Sequence, residues 1–195
     1  ILGVGGCVIM KSQIPEEHLA KCPRKLKSQL EELEIKDKTI TLTFGSVGFN
    51  ELTLNFLCST ASVSVSPVLV VGFDPLTCPA LNERYSQLKK KNPRYSNWKF
   101  TCMTADYEAL GNLLLKTDPS SFAEFAAQNW TVDQDKVWYG STAYFQLMLF
   151  RTVLVYQMLD CGFNVLFADS DIHFFSTPLP HLTENNDNDL QFMVI

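Results

Sequence analysis

The stretch Phe163-Asn-Val-Leu-Phe-Ala-Asp-Ser-Asp171 decides the fold and the candidate site of this chain. It joins a run of mostly apolar residues to two aspartates that a single serine separates. Such a short apolar run is typical of a strand that is buried on both faces of a parallel sheet. In open α/β sheets, ligands bind beyond the carboxyl ends of the strands. We therefore expect Asp169 and Asp171 to lie at a ligand-binding edge of a sheet.

The segments before this stretch alternate between strand and helix patterns. Strands are predicted over residues 39–44, 68–73, 98–104 and 163–168, and a last one over residues 190–195. Helices are predicted over residues 50–61 with Asn50 as the cap, over residues 106–116, after a capping box of Ser121 and Glu124, and over residues 141–159 with Gly162 as the stop. Residues 82–97 are basic and are predicted to be irregular. The alternation predicts an α/β fold with a largely parallel sheet that helices flank.

Length and composition limit the class of protein. The chain has 195 residues, of which 46% are hydrophobic and 19% charged, so we expect one ordered globular domain. Its net charge of −5 disfavours nucleic acid and anionic membranes as partners. The domain pattern begins at Thr39. We assign residues 39–195 to the domain and residues 1–38 to an N-terminal stem or peripheral segment with a short amphipathic helix around Leu26, Leu30 and Leu33.

The first ten residues, ILGVGGCVIM, are apolar or glycine. Ten residues cannot span a bilayer, which takes about 20. Two interpretations stay open for this segment: the remnant of a membrane anchor, or a buried strand or disordered start. The helix over residues 141–159 is not predicted to cross a membrane, because Arg151 lies at its middle.

Cysteines and one sequon bear on the compartment. No Cys-x-x-Cys pair or Cys/His cluster is present, which disfavours zinc. Cys58 and Cys161 lie in apolar segments and are predicted to be buried thiols, whereas Cys22 and Cys78 are better candidates for disulfides. Asn129-Trp-Thr131 is an N-glycosylation sequon and supports a secretory location weakly.

Two carboxylates at the end of a buried strand repel each other and require a cation nearby. Oxygen ligands favour Mg²⁺, Mn²⁺ or Ca²⁺, and Mg²⁺-like ions also take phosphate oxygens of a substrate. The Asp169-Ser-Asp171 motif therefore predicts a site for a metal and a diphosphate. The alternative is an exposed acidic turn in which Asp169 caps the following segment.

Four further residues are candidates for the nucleotide side of this site. Phe44, Gly45 and Asp74 end the first two predicted strands and would lie beside the nucleotide. Arg151, in an apolar helix, needs an anionic partner, which could be the donor phosphate, the motif carboxylates or a structural salt bridge. His173 would share the face of the two aspartates if the strand continued, although a packed histidine is commoner.

Two classes of enzyme place such a motif after an apolar strand. Phosphatases of the haloacid dehalogenase type continue D-x-D-x-T, but His173 stands where that threonine would be, and the motif lies late in the chain. Glycosyltransferases that use nucleotide sugars are the other class.

The run from Tyr144 to Asp171, YFQLMLFRTVLVYQMLDCGFNVLFADSD, followed by Phe175-Ser-Thr-Pro-Leu179, resembles the nucleotide-diphospho-sugar transferase family of GT-A fold. That family includes plant rhamnogalacturonan xylosyltransferases and extensin arabinosyltransferases. Supporting similarity spans residues 39–195, including Thr41-Leu-Thr-Phe-Gly45, the helical Asn55-Phe-Leu57 and Asp189-Leu-Gln-Phe192.

The resemblance implies retaining transfer of a sugar, from a UDP-linked donor, to a glycan or glycoprotein acceptor, with Mn²⁺ or Mg²⁺. It implies that Asp171 binds the metal directly and that Asp169 contacts the donor and, directly or through water, the metal. It also implies a type II membrane protein of the Golgi lumen. The family's pattern continues beyond residue 195, where an acceptor pocket and a further metal ligand are expected, so a noncatalytic domain that binds a nucleotide or a partner stays the alternative.

Overall fold

The structure is a computed structural model, and it describes residues 6–11, 22, 24–31, 33, 35, 38–65, 67–95, 98–106, 142–180 and 190–194. Within these ranges the strands are β1 (Gly6–Met10), β2 (Thr39–Gly45), β3 (Val68–Gly72), β4 (Phe100–Thr104), β5 (Asn164–Ala168) and β6 (Leu190–Val194). The α-helices are α1 (Arg24–Glu31), α2 (Asn50–Ser62), α3 (Thr77–Lys91) and α4 (Thr142–Asp160). Short 3₁₀ turns lie at Val47–Phe49 and Pro93–Tyr95.

The described strands form a sheet in the order β4-β3-β2-β5-β1-β6. The four strands β4, β3, β2 and β5 run parallel, while β1 pairs antiparallel with both β5 and β6. The prediction of an α/β fold with a largely parallel sheet is thus confirmed. Every residue of β2 is buried, although its alternating sequence suggests a strand with one exposed face, because parallel sheets are covered on both faces.

The described parts of residues 1–38 that pair in the sheet or pack in the core are not peripheral, contrary to the expectation for them. Residues Gly6–Met10 form a strand that pairs on both sides within the sheet, which confirms that they are a strand. Leu26, Leu30 and Leu33 are buried in the same cluster as residues of β2, β3 and α4. Leu26 and Leu30 on one face of α1, with Leu33 just after the helix, give enough apolar area to dock this short segment. No helix among the described residues is long and apolar enough to cross a membrane.

Two further predictions are corrected around α2 and α3. Most of the segment predicted to be irregular is the helix α3, whose buried residues Leu81 and Tyr85 lie four positions apart on one face. Asn50 does not cap α2, because the 3₁₀ turn before it makes Phe49 the N-cap. The polar sequence of α3 hid its helical periodicity, since few apolar residues mark the buried face.

Two disulfides connect elements that are distant in the sequence. Cys22 bonds to Cys161, and Cys78 bonds to Cys102. The prediction of disulfides at Cys22 and Cys78 is confirmed, whereas the prediction of a thiol at Cys161 is wrong. Cys58 is a free thiol, and burial raises its pKa. The first bond fastens the N-terminal segment to the turn between α4 and β5.

The helix predicted before the motif is confirmed as α4, and Gly162 after it has a φ of 82°, which favours glycine. The expectation that α4 is buried nearly all round holds only in part, because Tyr156 is 59% exposed. The predictions for residues 106–116, for Ser121 with Glu124 and for the sequon at Asn129 fall between residues 106 and 142, outside the described residues.

Candidate functional site

A cavity of about 400 Å³ lies at the carboxyl ends of β2 and β5. The parallel pairing of these strands brings their ends to one edge, as expected for an α/β sheet. The lining combines residues from both strand ends, the 3₁₀ turn, and α2 and α4. Its residues are Phe44, Gly45, Ser46, Phe49, Leu52, Phe73, Tyr144, Leu147, Met148, Arg151, Asp169, Ser170 and Asp171.

Both aspartates of the motif line this cavity. The strand ends at Ala168, and the chain then turns, with the N–H of Ile172 donating to the carbonyl of Asp169 at 3.2 Å. The turn keeps Asp169 and Asp171 at the cavity, with Asp171 exposed and Asp169 partly buried. The arrangement offers carboxylate oxygens to a ligand at the strand end.

Arg151 reaches the same edge from α4. Its Nη2 lies 2.5 Å from Oδ1 of Asp169, and its guanidinium carbon lies 4.4 Å from the ring centre of Phe167 and 5.6 Å from that of Phe44. Of the anionic partners considered for Arg151, the structure thus pairs it with a motif carboxylate. The side chain of Arg151 is 20% exposed, so this ion pair is shielded more than a surface pair.

Phe44 and Gly45 line the cavity, and each also has a packing role. The ring of Phe44 stacks on that of Phe73 with centres 5.3 Å apart, and the guanidinium of Arg151 lies over the Phe44 ring. A Cβ atom on Gly45 would lie 2.9 Å from Oγ1 of Thr53, which is closer than side-chain carbons pack. Glycine is therefore needed here so that α2 can approach the end of β2.

Asp74 does not line the cavity, which corrects its assignment to the nucleotide side. It is buried, and its Oδ1 accepts the N–H groups of Leu76 and Thr77, both at 2.9 Å. Its Oδ2 accepts the N–H of Val47 at 2.8 Å and the hydroxyl of Thr77 at 2.5 Å. Because local donors take both oxygens, Asp74 holds the turn after β3 and the loop after β2 together.

His173 lies on the surface beyond the motif. It is exposed, and its ring centre lies 4.9 Å from that of Phe175, which is 90% exposed. The strand does not continue past Ala168, so His173 does not share a strand face with the two aspartates. It is not among the residues that line the cavity.

Sequence reasoning missed several residues that line the cavity. Tyr144, Leu147 and Met148 lie seven, four and three positions before Arg151, so the helical period of α4 could have identified them. Phe49 and Leu52 form an apolar lip, 58% and 41% exposed. No local pattern marks that lip, because it depends on the 3₁₀ turn before α2.

The donor set at the cavity fits a divalent metal only in part. Two carboxylates supply the hard oxygens that Mg²⁺ and Mn²⁺ prefer. Arg151 already binds one oxygen of Asp169, and no group of three or more His, Cys, Asp or Glu side chains that could hold a metal ion occurs in the part of the chain that the structure describes. These residues therefore suit a metal whose remaining ligands are water and the phosphates of a substrate.

An α/β sheet with two aspartates at its ligand-binding edge suits an enzyme that binds a phosphorylated substrate. Residues 96–194, half of the chain, match the family model described as nucleotide-diphospho-sugar transferase. The chain belongs to this family, which makes it a transferase of the glycosyltransferase kind with a nucleotide-sugar donor. The match includes Arg151, Asp169 and Asp171, whereas Phe44, Gly45 and Asp74 precede it. No curated protein and no solved structure shows significant similarity to the chain.

Proposed function

We propose that the chain is a glycosyltransferase that moves a sugar, with retention, from a UDP-linked donor to a glycan or glycoprotein acceptor. Its metal, Mn²⁺ or Mg²⁺, would be held by Asp169 and Asp171. The observation that carries the proposal is that both carboxylates line the cavity beside Arg151, within the segment that matches the family.

The lining suggests how the donor would be oriented. The anionic diphosphate belongs at the acidic edge only if cations are there, and Arg151 offsets the charge of one of the two carboxylates. A divalent metal bound there would supply the rest and would stabilise the departing diphosphate as a Lewis acid. The nucleoside then takes the apolar part of the cavity, where Phe49 and Tyr144 offer aromatic surface.

The disulfides favour an oxidising compartment. They support the proposal that the protein works in the Golgi lumen, as the resemblance of its motif to plant xylosyl- and arabinosyltransferases implies. We propose a type II membrane anchor for the full-length protein on the same basis.

The experiment is a panel of UDP-sugars incubated with the chain in Mn²⁺ and in EDTA, with release of UDP as the readout. We expect release with at least one donor in Mn²⁺ and its loss in EDTA and in the Asp171→Asn variant. Glu31→Gln is the matched control, because Glu31 is an exposed acid at the end of α1, outside the cavity. Release that persists in both EDTA and Asp171→Asn would reject the metal-dependent mechanism.

A noncatalytic domain that binds a nucleotide is the second candidate. It is favoured by the ion pair of Arg151 with Asp169, which already neutralises one motif carboxylate. This candidate predicts UDP binding by calorimetry without UDP release from any donor. Family membership favours either candidate over the phosphatase, which would instead release phosphate from small phosphomonoesters.

A further inference from the structure

The guanidinium of Arg151 is held from several directions. The ring of Phe167 lies 4.4 Å away, that of Phe44 lies 5.6 Å away, and Nη1 lies 3.3 Å from the sulfur of Met148. These contacts come from β5, β2 and α4. A planar guanidinium stacks on aromatic rings in a way that an ammonium group does not. The cation is thus fixed relative to the sheet before any ligand binds.

The fixed cation in turn fixes one carboxylate. Nη2 of Arg151 binds Oδ1 of Asp169, which follows the last residue of β5. Without this bond, a partly exposed aspartate at a turn would sample several rotamers. With the bond, Oδ1 is engaged and Oδ2 is the oxygen left for another cation.

We propose that Arg151 is a positioning residue for the metal of the candidate site: it acts by holding Asp169, and not by contacting the donor. The inference rests on the proposed function, because it concerns the same two carboxylates. The inference leaves Asp169 one oxygen, Oδ2, for the metal.

Positioning and simple charge balance predict opposite effects on metal affinity. If Arg151 only balanced charge, its removal would leave a more negative site and Mn²⁺ would bind more tightly. If Arg151 positions Asp169, its removal disorders a ligand and Mn²⁺ binds more weakly. Loss of a residue that orients a metal ligand typically lowers metal affinity about 10- to 100-fold.

The experiment titrates Mn²⁺ into the chain at saturating UDP and follows free Mn²⁺ by electron paramagnetic resonance. We expect Arg151→Gln to weaken Mn²⁺ binding by about 10-fold. We expect Arg151→Lys to weaken it as well, since lysine keeps the charge but not the planar fork. Arg94→Gln, which changes an exposed arginine on the 3₁₀ turn at Pro93–Tyr95, should leave the affinity unchanged. Tighter binding in Arg151→Gln, or wild-type affinity in Arg151→Lys, would overturn the proposal.

A double-mutant cycle separates action through Asp169 from direct contact with UDP. We expect the loss caused by Arg151→Gln to fall below about two-fold when Asp169 is already asparagine, because coupled residues are not additive. A loss of equal size in both backgrounds would mean that Arg151 contacts the diphosphate and would refute a positioning role.

Two controls distinguish a positioning role from misfolding of the variant and from the absence of a metal site. Ethylguanidinium added to Arg151→Ala should restore Mn²⁺ affinity at least in part, which a variant weakened by general misfolding would not allow. Wild-type chain that binds no Mn²⁺ with UDP would reject the proposed metal site itself, and the inference with it. Wild-type binding that Arg151→Gln leaves intact would reject the inference alone.

Discussion

The carboxylate of Asp74 joins two loops by accepting the backbone N–H of Val47 at 2.8 Å. Asp74 follows β3, and Val47 begins the 3₁₀ turn after β2. Ser46, just before this turn, and Phe49, its last residue, line the cavity. Two more N–H groups and the hydroxyl of Thr77 donate to the same carboxylate. A buried acid at this position therefore shapes the cavity wall without facing the cavity.

Asp74→Asn should destabilise the fold and loosen that wall. Asparagine replaces one acceptor oxygen by an NH₂ group, which would face N–H or O–H donors wherever it is placed. We expect the free energy of unfolding to fall by about 2 kcal/mol, the scale of a lost hydrogen bond to a charged group. Urea denaturation measures this change, with Glu31→Gln as the control. An unchanged denaturation midpoint would show that the Asp74 network is dispensable.

Deleting residues 1–11 should prevent folding of the remaining chain. β1 fills the position between β5 and β6, so its removal leaves β5 with an unpaired edge and β6 without its partner. We expect the shortened chain to lose its cooperative thermal transition in calorimetry and to aggregate. A chain that begins at Thr39 and still unfolds cooperatively would instead support the domain boundary predicted from the sequence.

The two disulfides should differ in their contribution to stability. The bond of Cys22 with Cys161 spans 139 residues, and that of Cys78 with Cys102 spans 24. A longer loop loses more entropy in the unfolded chain when it is closed. We therefore expect Cys22→Ser with Cys161→Ser to cost about 1.5 kcal/mol more than Cys78→Ser with Cys102→Ser.

Guanidinium denaturation of the two double variants tests this order. Each variant removes both cysteines of a pair, so that no new free thiol confuses the comparison. Equal midpoints for the two variants, or a larger loss from the shorter loop, would contradict the entropic expectation.

The sequence predicted the elements whose signals are local. The apolar run before Asp169 and the stop at Gly162 each carry their signal within a few residues, and the structure has them where expected. Their arrangement at the sheet edge followed from the general geometry of α/β sheets. This much of the site could be predicted because the motif lies at the end of a strand.

The remainder depends on contacts between distant segments. Nothing near Cys7 indicates that its strand pairs with β5, where its partner Ala168 lies 161 positions further along the chain. Asp-Pro at a strand end is typical both of a residue that contacts a ligand and of an ordinary turn, so the sequence left Asp74 open to either role. The N–H groups that donate to its carboxylate show that it stabilises the turn. The pairing of Arg151 with Asp169 likewise depends on how α4 packs against β5.

Gly45 offers the sharpest test of how the cavity is built. A Cβ atom there would lie 2.9 Å from Oγ1 of Thr53, whose hydroxyl donates to the carbonyl of Phe49 at 3.2 Å. Gly45→Ala must therefore push Thr53 and the 3₁₀ turn away from the end of β2. We expect about 1–3 kcal/mol of destabilisation, the usual cost of overpacking, together with weaker UDP binding.

The partner variant Thr53→Ala removes the clashing oxygen. If the clash is the cause, Gly45→Ala should cost much less when Thr53 is already alanine, and the difference is the coupling energy between the two positions. Urea denaturation of the wild type, both single variants and the double variant gives that energy, and calorimetry with UDP shows whether affinity recovers with it. Strictly additive costs would mean that Gly45 is required for its backbone or for direct approach of the nucleotide, and that the packing against α2 is incidental.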